Sequence, residues 1–299
     1  FMAAVGTVAF SVAAPSLVPA LVQVEGLAQA NGRLELARSA AFAAGPALAG
    51  ALIAWTGASA AFVLSGMLSV AAVLFLRGIT EPARPSMPAR HPLLELQDGA
   101  KWVWQSDLLR PMMFCSIAWN ISWFMLQAAY VPYAIHDLGL DASGVGITLA
   151  LYGVGMIVGA LLAPRVVRAL PFGQAILLGP YFSVLAAVTM ALTLLWPQGW
   201  LAGLSYFFFG AGPIIWTITS TTLRQTVTPR AMIGRVTSIN IVVSTGARPL
   251  GAALGGVVGV NFPVSVSLWC VVLGFGLQAI IISASKVRTL KRLPDPLPD

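Results

Sequence analysis

The sequence predicts an all-α membrane protein, a helical bundle with about nine visible spans. Three observations carry that prediction. Of the 299 residues, 58% are hydrophobic and 9% charged, and the mean hydropathy is +0.86. A soluble domain carries roughly 25% charge. The apolar residues form runs of close to the ~20 residues that cross ~30 Å of hydrocarbon as a helix. The basic residues keep to alternate links between those runs, as successive crossings require.

The runs lie at about 1–14, 36–55, 58–77, 109–131, 143–164, 172–195, 199–222, 236–258 and 263–284. The first is partial and the other eight are full. Barrel strands would be half as long and would alternate in polarity, which these do not. Residues 1–14 carry no positive leader of the kind a signal peptide needs, and the chain opens on Phe1. The expectation is a spanning helix entered part-way, within a longer protein.

Links near 56–57, 132–142, 196–198 and 259–262 hold no Lys or Arg. Those at 15–35, 78–108, 165–171 and 223–235, with the neighbouring helix ends and the tail, hold sixteen of the seventeen. Positive links stay cytoplasmic. The C-terminus is therefore expected in the cytoplasm, with the chain in the inner membrane of a bacterium. The net charge of +7 becomes a topology signal whose anionic partner is the lipid bilayer. Nucleic acid is excluded, because no basic patch is interleaved with polar surface. Cys115 and Cys270 lie inside apolar runs and read as small hydrophobes.

The longest link opens with Pro82, Pro85, Pro88 and Pro92, which do not fit inside a regular helix. Leu93, Leu96, Ala100, Val103 and Trp104 then recur at helical spacing. An amphipathic helix is expected there, with Trp102 and Trp104 suited to the membrane interface. This divides the chain into half of an N-terminal bundle at 1–77, a cytoplasmic linker at 78–108, a complete six-helix bundle at 109–285 and a cytoplasmic tail at 286–299.

An internal repeat supports two bundles. Asn31-Gly32-Arg33 is followed by Gly45-Pro46 and Ala49-Gly50, and Gly234-Arg235 is followed by Arg248-Pro249-Leu250-Gly251. Arg33 and Arg235 are 202 positions apart, Pro46 and Pro249 203. Each Gly-Arg pair is expected in a cytoplasmic loop and each proline inside the next span. Repeated helices of one orientation mark a two-bundle transporter. The offset places about 94 residues (203 minus 109), or three further spans, ahead of Phe1.

In these residues the sequence resembles the major facilitator superfamily, in the branch of the enterobactin exporters and transmembrane secretion effectors. The elements are Leu17-Val18-Pro19 with Asn31, Gly45-Pro46, Leu109-Arg110-Pro111, Val131-Pro132, Gly153 to Arg165, Thr228-Pro229 with Gly234-Arg235-Val236, and Pro249-Leu250-Gly251. The resemblance implies a twelve-helix carrier of major-facilitator type, here from its fourth helix to its twelfth. Gly45-Pro46 with Ala49-Gly50 matches the family's antiporter signature, with Ala49 in place of a glycine. The proline bends its span while Gly45 and Gly50 admit a neighbouring helix, so these residues read as an efflux gate or as plain close packing. The run Gly159 to Arg165 matches the degenerate form of the family's cytoplasmic latch, with Pro164 where an aspartate would stand.

Transport needs polar or aromatic groups at a water-filled midplane. Arg248 is the one basic residue within a span, 13 residues beyond Arg235, or about 20 Å along a helix. Two roles fit it: an anion-binding or coupling group, or a structural one bonded to carbonyls freed beside Pro249. Trp119, Trp123 and Gln127 share a helix face beside Asn120, either as an aromatic cavity wall or as an interhelical or lipid-facing stripe. Asn240 and Gln278 are further cavity candidates. The hydroxyls of Thr217 to Thr222 are expected to satisfy their own helix backbone. Arg235, Pro249 and Gly251 join Gly45, Pro46 and Gly50 as gating or packing residues.

All ten acids fall in links or tails. A proton relay is therefore expected in the three preceding helices, or coupling works otherwise. His91 and His136 are on opposite sides of the membrane, so no metal pair or His-based dyad forms. No phosphate-cradling Gly-rich loop with lysine occurs. The reading is a secondary transporter and not an enzyme. It needs no cofactor and works as a monomer when full length. By analogy with the family it exports a small amphipathic compound, a siderophore or a drug, by alternating access, with a proton as coupling ion. A truncated inactive remnant and a membrane-embedded enzyme are the rival readings.

Overall fold

The structure is a computed structural model that describes residues 17–56, 58–76 and 92–295. The partial run at 1–14 and the prolines at 82, 85 and 88 lie outside the described residues. After a helical stretch at 17–21, nine α-helices follow among the described residues, with three short 3-10 turns before, between and after them. They are α1 (Leu27–Thr56), α2 (Ala58–Leu76), α3 (Pro92–Gln105), α4 (Leu109–His136), α5 (Ala142–Ala169), α6 (Phe172–Leu192), α7 (Gly199–Thr226), α8 (Ile233–Asn261) and α9 (Val264–Ser283). Among the described residues α4 to α9 are the helices long and apolar enough to cross a membrane, and no strand occurs.

At several basic ends the helix runs on past the apolar run. α1 begins at Leu27, so Asn31-Gly32-Arg33 lies in a helix and not in a loop. Gly234-Arg235 likewise sits in the first turn of α8, and α7 continues past the apolar run to Thr226. Arginine is a good helix former. Charge therefore marks where hydrocarbon stops, not where the helix stops.

Lipid tails are as apolar as leucine, so close approach and van der Waals contact must hold spanning helices together. α5 packs on α7, α7 on α6, and α4 on both α8 and α9. Where α8 crosses α4, a Cβ at Gly251 would lie 2.3 Å from the Ile121 carbonyl oxygen. Four residues on, one at Gly255 would lie 2.8 Å from the Met125 oxygen. One bundle core gathers Trp123, Leu126, Tyr130, Tyr206, Phe209 and Phe275, all buried. Hydroxyls spend themselves at short range: Thr217 donates to the Pro213 oxygen at 2.9 Å, Thr219 to Ile215 at 2.8 Å and Thr222 to Ile218 at 2.8 Å.

The expected amphipathic helix is α3, and it docks on the basic end of the bundle. Val103 is buried there with Leu109, Phe172, Leu223 and Val236, and Trp102 packs against that cluster while Trp104 is exposed. Arg235 clamps the helix, donating to Glu95 at 3.0 Å and to Asp98 at 3.4 Å. Gly99 lets the α8 backbone in, since a Cβ there would meet the Arg235 carbonyl at 2.9 Å. At the same end Lys286 reaches Asp107 at 2.6 Å, holding that carboxyl below its usual range through the hydrogen bond and the lysine charge.

Two outcomes follow from this packing. Overpacking costs typically ~1–3 kcal/mol, and at Gly251 the obstacle is backbone. Gly251→Leu should lower the melting temperature and yield of detergent-purified protein, and an unchanged melting curve would mean that α4 and α8 do not meet there. Arg235→Ala removes two partly exposed ion pairs, each worth about 1 kcal/mol or less. It should leave global stability near wild type but speed tryptic cleavage at Lys101, and an unaltered rate would show that the clamp does not hold α3.

Candidate functional site

The site follows from where polar groups can sit. A charge in hydrocarbon is tolerated only when paired or wet, and a cavity of about 950 Å³ provides the wet surface. It is walled by α1 and by α4 to α9, with Val103 of α3 at its edge. At the basic end its lining includes Asn31, Leu109, Arg224 and Val236. From there it reaches inward to Trp119, Asn120, Tyr152, Arg248 and Gln278.

Arg248 stands at the inner end on α8. Its Nε donates to Asn120 Oδ1 at 3.1 Å, and its guanidinium carbon lies 5.5 Å from the Phe124 ring centroid. Asn120 is fixed in turn, its Nδ2 donating to the Ser116 carbonyl at 2.9 Å. That leaves its oxygen turned to the arginine. The guanidinium is therefore anchored by a neighbouring helix and an aromatic face, not by a carbonyl beside Pro249. Pro249 is itself exposed on α8.

The aromatic face predicted on α4 divides with depth. Trp119 lines the cavity. Trp123 lies behind it in the core, its ring stacked 5.5 Å from Trp119 and 5.1 Å from Tyr152. Gln127 is exposed and outside the cavity, and accepts from the Tyr206 hydroxyl at 2.7 Å. Seven residues of helix past Asn120 span about 10 Å. Over that distance the rings of Trp123, Tyr206 and Phe209 close the bundle. Asn240 and Gln278 both line the cavity. Arg235 does not, being committed to α3. The surroundings of Gly45, Pro46 and Gly50 lie outside the described residues.

Residues left in links or unremarked in the sequence also reach this cavity, among them Glu35, Arg38, Tyr152, Trp216, Arg224 and Thr237. Glu35 lies in α1, ion-paired to Arg38 at 3.0 Å. The expectation that every acid sits in a link fails here, because α1 starts a turn and more before its apolar run. Arg224 fell among the loop residues for the same reason. The signal available was spacing: Thr217, Ser220 and Arg224 share one helix face at i, i+3 and i+7. Nearby, Asn31 ties α1 to α7, donating to Thr222 Oγ1 at 3.0 Å and to Gln225 Oε1 at 2.7 Å.

Comparison with known proteins agrees with this architecture. The family model for the Major Facilitator Superfamily matches residues 1–252. An uncharacterised MFS-type transporter of Sinorhizobium fredii is 28% identical over 307 residues, covering 97% of this chain and 71% of the relative. The enterobactin exporter EntS of Citrobacter koseri is 27% identical over 304 residues, covering 100% of this chain and 70% of the relative. The crystal structure of a bacterial homologue of the iron transporter ferroportin, in an outward-facing state, superposes with a TM-score of 0.72. At 16% identity over 89% of this chain, that likeness is one of fold. The chain spans 65% of the length of that structure's chain. The chain belongs to the major facilitator superfamily, as a multi-pass membrane protein of a transporter and not an enzyme family.

Proposed function

We propose that the chain belongs to a secondary active carrier of the bacterial inner membrane that exports a small amphipathic compound, a siderophore or a drug, by alternating access. The observation that carries this reading is Arg248, held by Asn120 at the inner end of a cavity whose wall includes Trp119 and Tyr152. A charged group beside aromatic surface suits a ligand with one polar and one apolar part. The similarity to an enterobactin exporter supports the direction and the substrate class. The basic end, with the C-terminal tail, faces the cytoplasm by the positive-inside rule. In this reading the two bundles rock about the cavity, and a proton is the coupling ion.

Glu35 is the carboxylate that lines the cavity among the described residues. It is our candidate for the proton-carrying group, with Arg38 as its ion partner. Pro249 and Gly251 bend or pack α8, one of the helices that move.

Two measurements on the full-length transporter test this. Arg248→Ala should lower efflux of siderophore or dye from cells by about tenfold or more, the loss of one hydrogen bond to a charged group being ~1.5–3 kcal/mol. Wild-type efflux at equal expression would remove Arg248 from the path. In proteoliposomes, Glu35→Gln should abolish the response of transport to an imposed pH gradient, and a retained response would place coupling elsewhere.

A further inference from the structure

Most buried polar atoms in a folded protein have a partner, and each exception needs a reason. Four cavity-lining residues from four helices carry such an exception: Trp119 Nε1 on α4, Arg224 Nε on α7, Thr237 Oγ1 on α8 and Gln278 Oε1 on α9. Three of the four can donate a hydrogen bond. The charges that line the cavity have the same bias. Arg38, Arg224 and Arg248 reach it against a single carboxylate, Glu35, which is already paired with Arg38. Arg224 and Arg248 are left without a carboxylate partner among the described residues. Arg224 makes one hydrogen bond, to Thr221 Oγ1 at 3.3 Å, and Arg248 one, to Asn120.

The two arginines lie at different depths. Arg224 and Thr237 are in the last turn of α7 and the second turn of α8, both at the basic end. Arg248 is 13 residues beyond Arg235 on α8, about 20 Å inward. A guanidinium is planar and weakly hydrated, and it binds carboxylate or sulfonate through two parallel hydrogen bonds. The indoles of Trp119 and Trp216 and the ring of Tyr152 line the same cavity.

From this we infer that the cavity takes an aromatic organic anion, and that Arg224 with Thr237 forms an outer anion subsite ahead of Arg248. The inference rests on the transport reading above and narrows its substrate class. The anionic group meets Arg224 at the cytoplasmic end and passes to Arg248, while the rings keep hold of the apolar part. Such a ladder favours an anion over its neutral isostere at both stations.

The test uses the purified full-length transporter and two probes of one shape, 1-naphthoate and uncharged 1-naphthamide, with binding read by calorimetry. Wild type should bind naphthoate about tenfold or more tightly than naphthamide, as expected from hydrogen bonds to a charged group. Arg224→Gln should cut that preference severalfold, leaving the share that Arg248 supplies, and Arg224→Lys should keep more of it than Arg224→Gln. Equal binding of the two probes by wild type overturns the inference alone, as does a full preference in Arg224→Gln. Binding of neither probe overturns it together with the cavity reading on which it stands.

Discussion

In hydrocarbon a backbone N–H or C=O has no water to turn to, so each spanning segment must close its hydrogen bonds within itself. From that constraint come the helices α4 to α9, and also the treatment of their side chains. Thr217, Thr219 and Thr222 return their hydroxyl protons to carbonyls one turn back on α7. Helices so satisfied gain little by burying leucine against leucine, because lipid is an equal solvent. What they gain comes from closeness, and closeness needs small residues. Gly251 and Gly255 let α8 lie against the α4 backbone. Gly210 does the same for α7 on α5, where a Cβ would meet the Tyr152 oxygen at 2.1 Å.

Close packing decides where polar groups can go. A bundle that excludes water along its glycine crossings has room for charge only at its ends or in its cavity. The basic end takes most of it. Arg235 meets Glu95 and Asp98, and Lys286 meets Asp107, in pairs that remain partly exposed. Such pairs stabilise weakly. Their use is geometric, as they fix the linker helix α3 and the tail to one end of the bundle. The apolar seam through Val103, Phe172, Leu223 and Val236 supplies the cohesion beneath them.

The cavity is the other outlet, and its chemistry is graded. Toward the basic end stand Asn31, Glu35, Arg38 and Arg224, and farther in Trp119, Asn120, Arg248 and Gln278. Trp123 stacks behind both Trp119 and Tyr152. The lining rings are thus backed by a third ring and are rigid where a ligand's apolar part would rest. Asn120, pinned by Ser116, gives Arg248 a fixed direction at little cost in entropy. Four residues of this lining, Trp119, Arg224, Thr237 and Gln278, each carry a buried polar atom without a partner. A surface that recognises a ligand has that pattern, whereas a structural polar core would be satisfied internally.

The class of fold was legible in the chain because the bilayer imposes one length and one polarity on every crossing. The i, i+4, i+8 spacing along α4 also pointed to Trp119, with Asn120 beside it, and a lone basic residue inside a span pointed to Arg248, before any neighbour was known. Periodicity names a face, however, and cannot say how deep along that face a cavity extends. Gln127 shares the stripe of Trp119 yet falls outside the cavity, because Trp123, Tyr206 and Phe209, from α4 and α7, close it off. Charge likewise located the hydrocarbon boundary but not the helix ends, so Glu35 and Arg224 were read as loop residues although helices carry both into the cavity wall. By itself, then, the sequence determined the class, the alternation of basic and neutral ends and the presence of an arginine within a span, since each is a property of one segment against a uniform solvent. Tertiary structure alone decided which residues share the cavity and which partner Arg248 takes, since those depend on helices far apart in the chain meeting at glycine crossings.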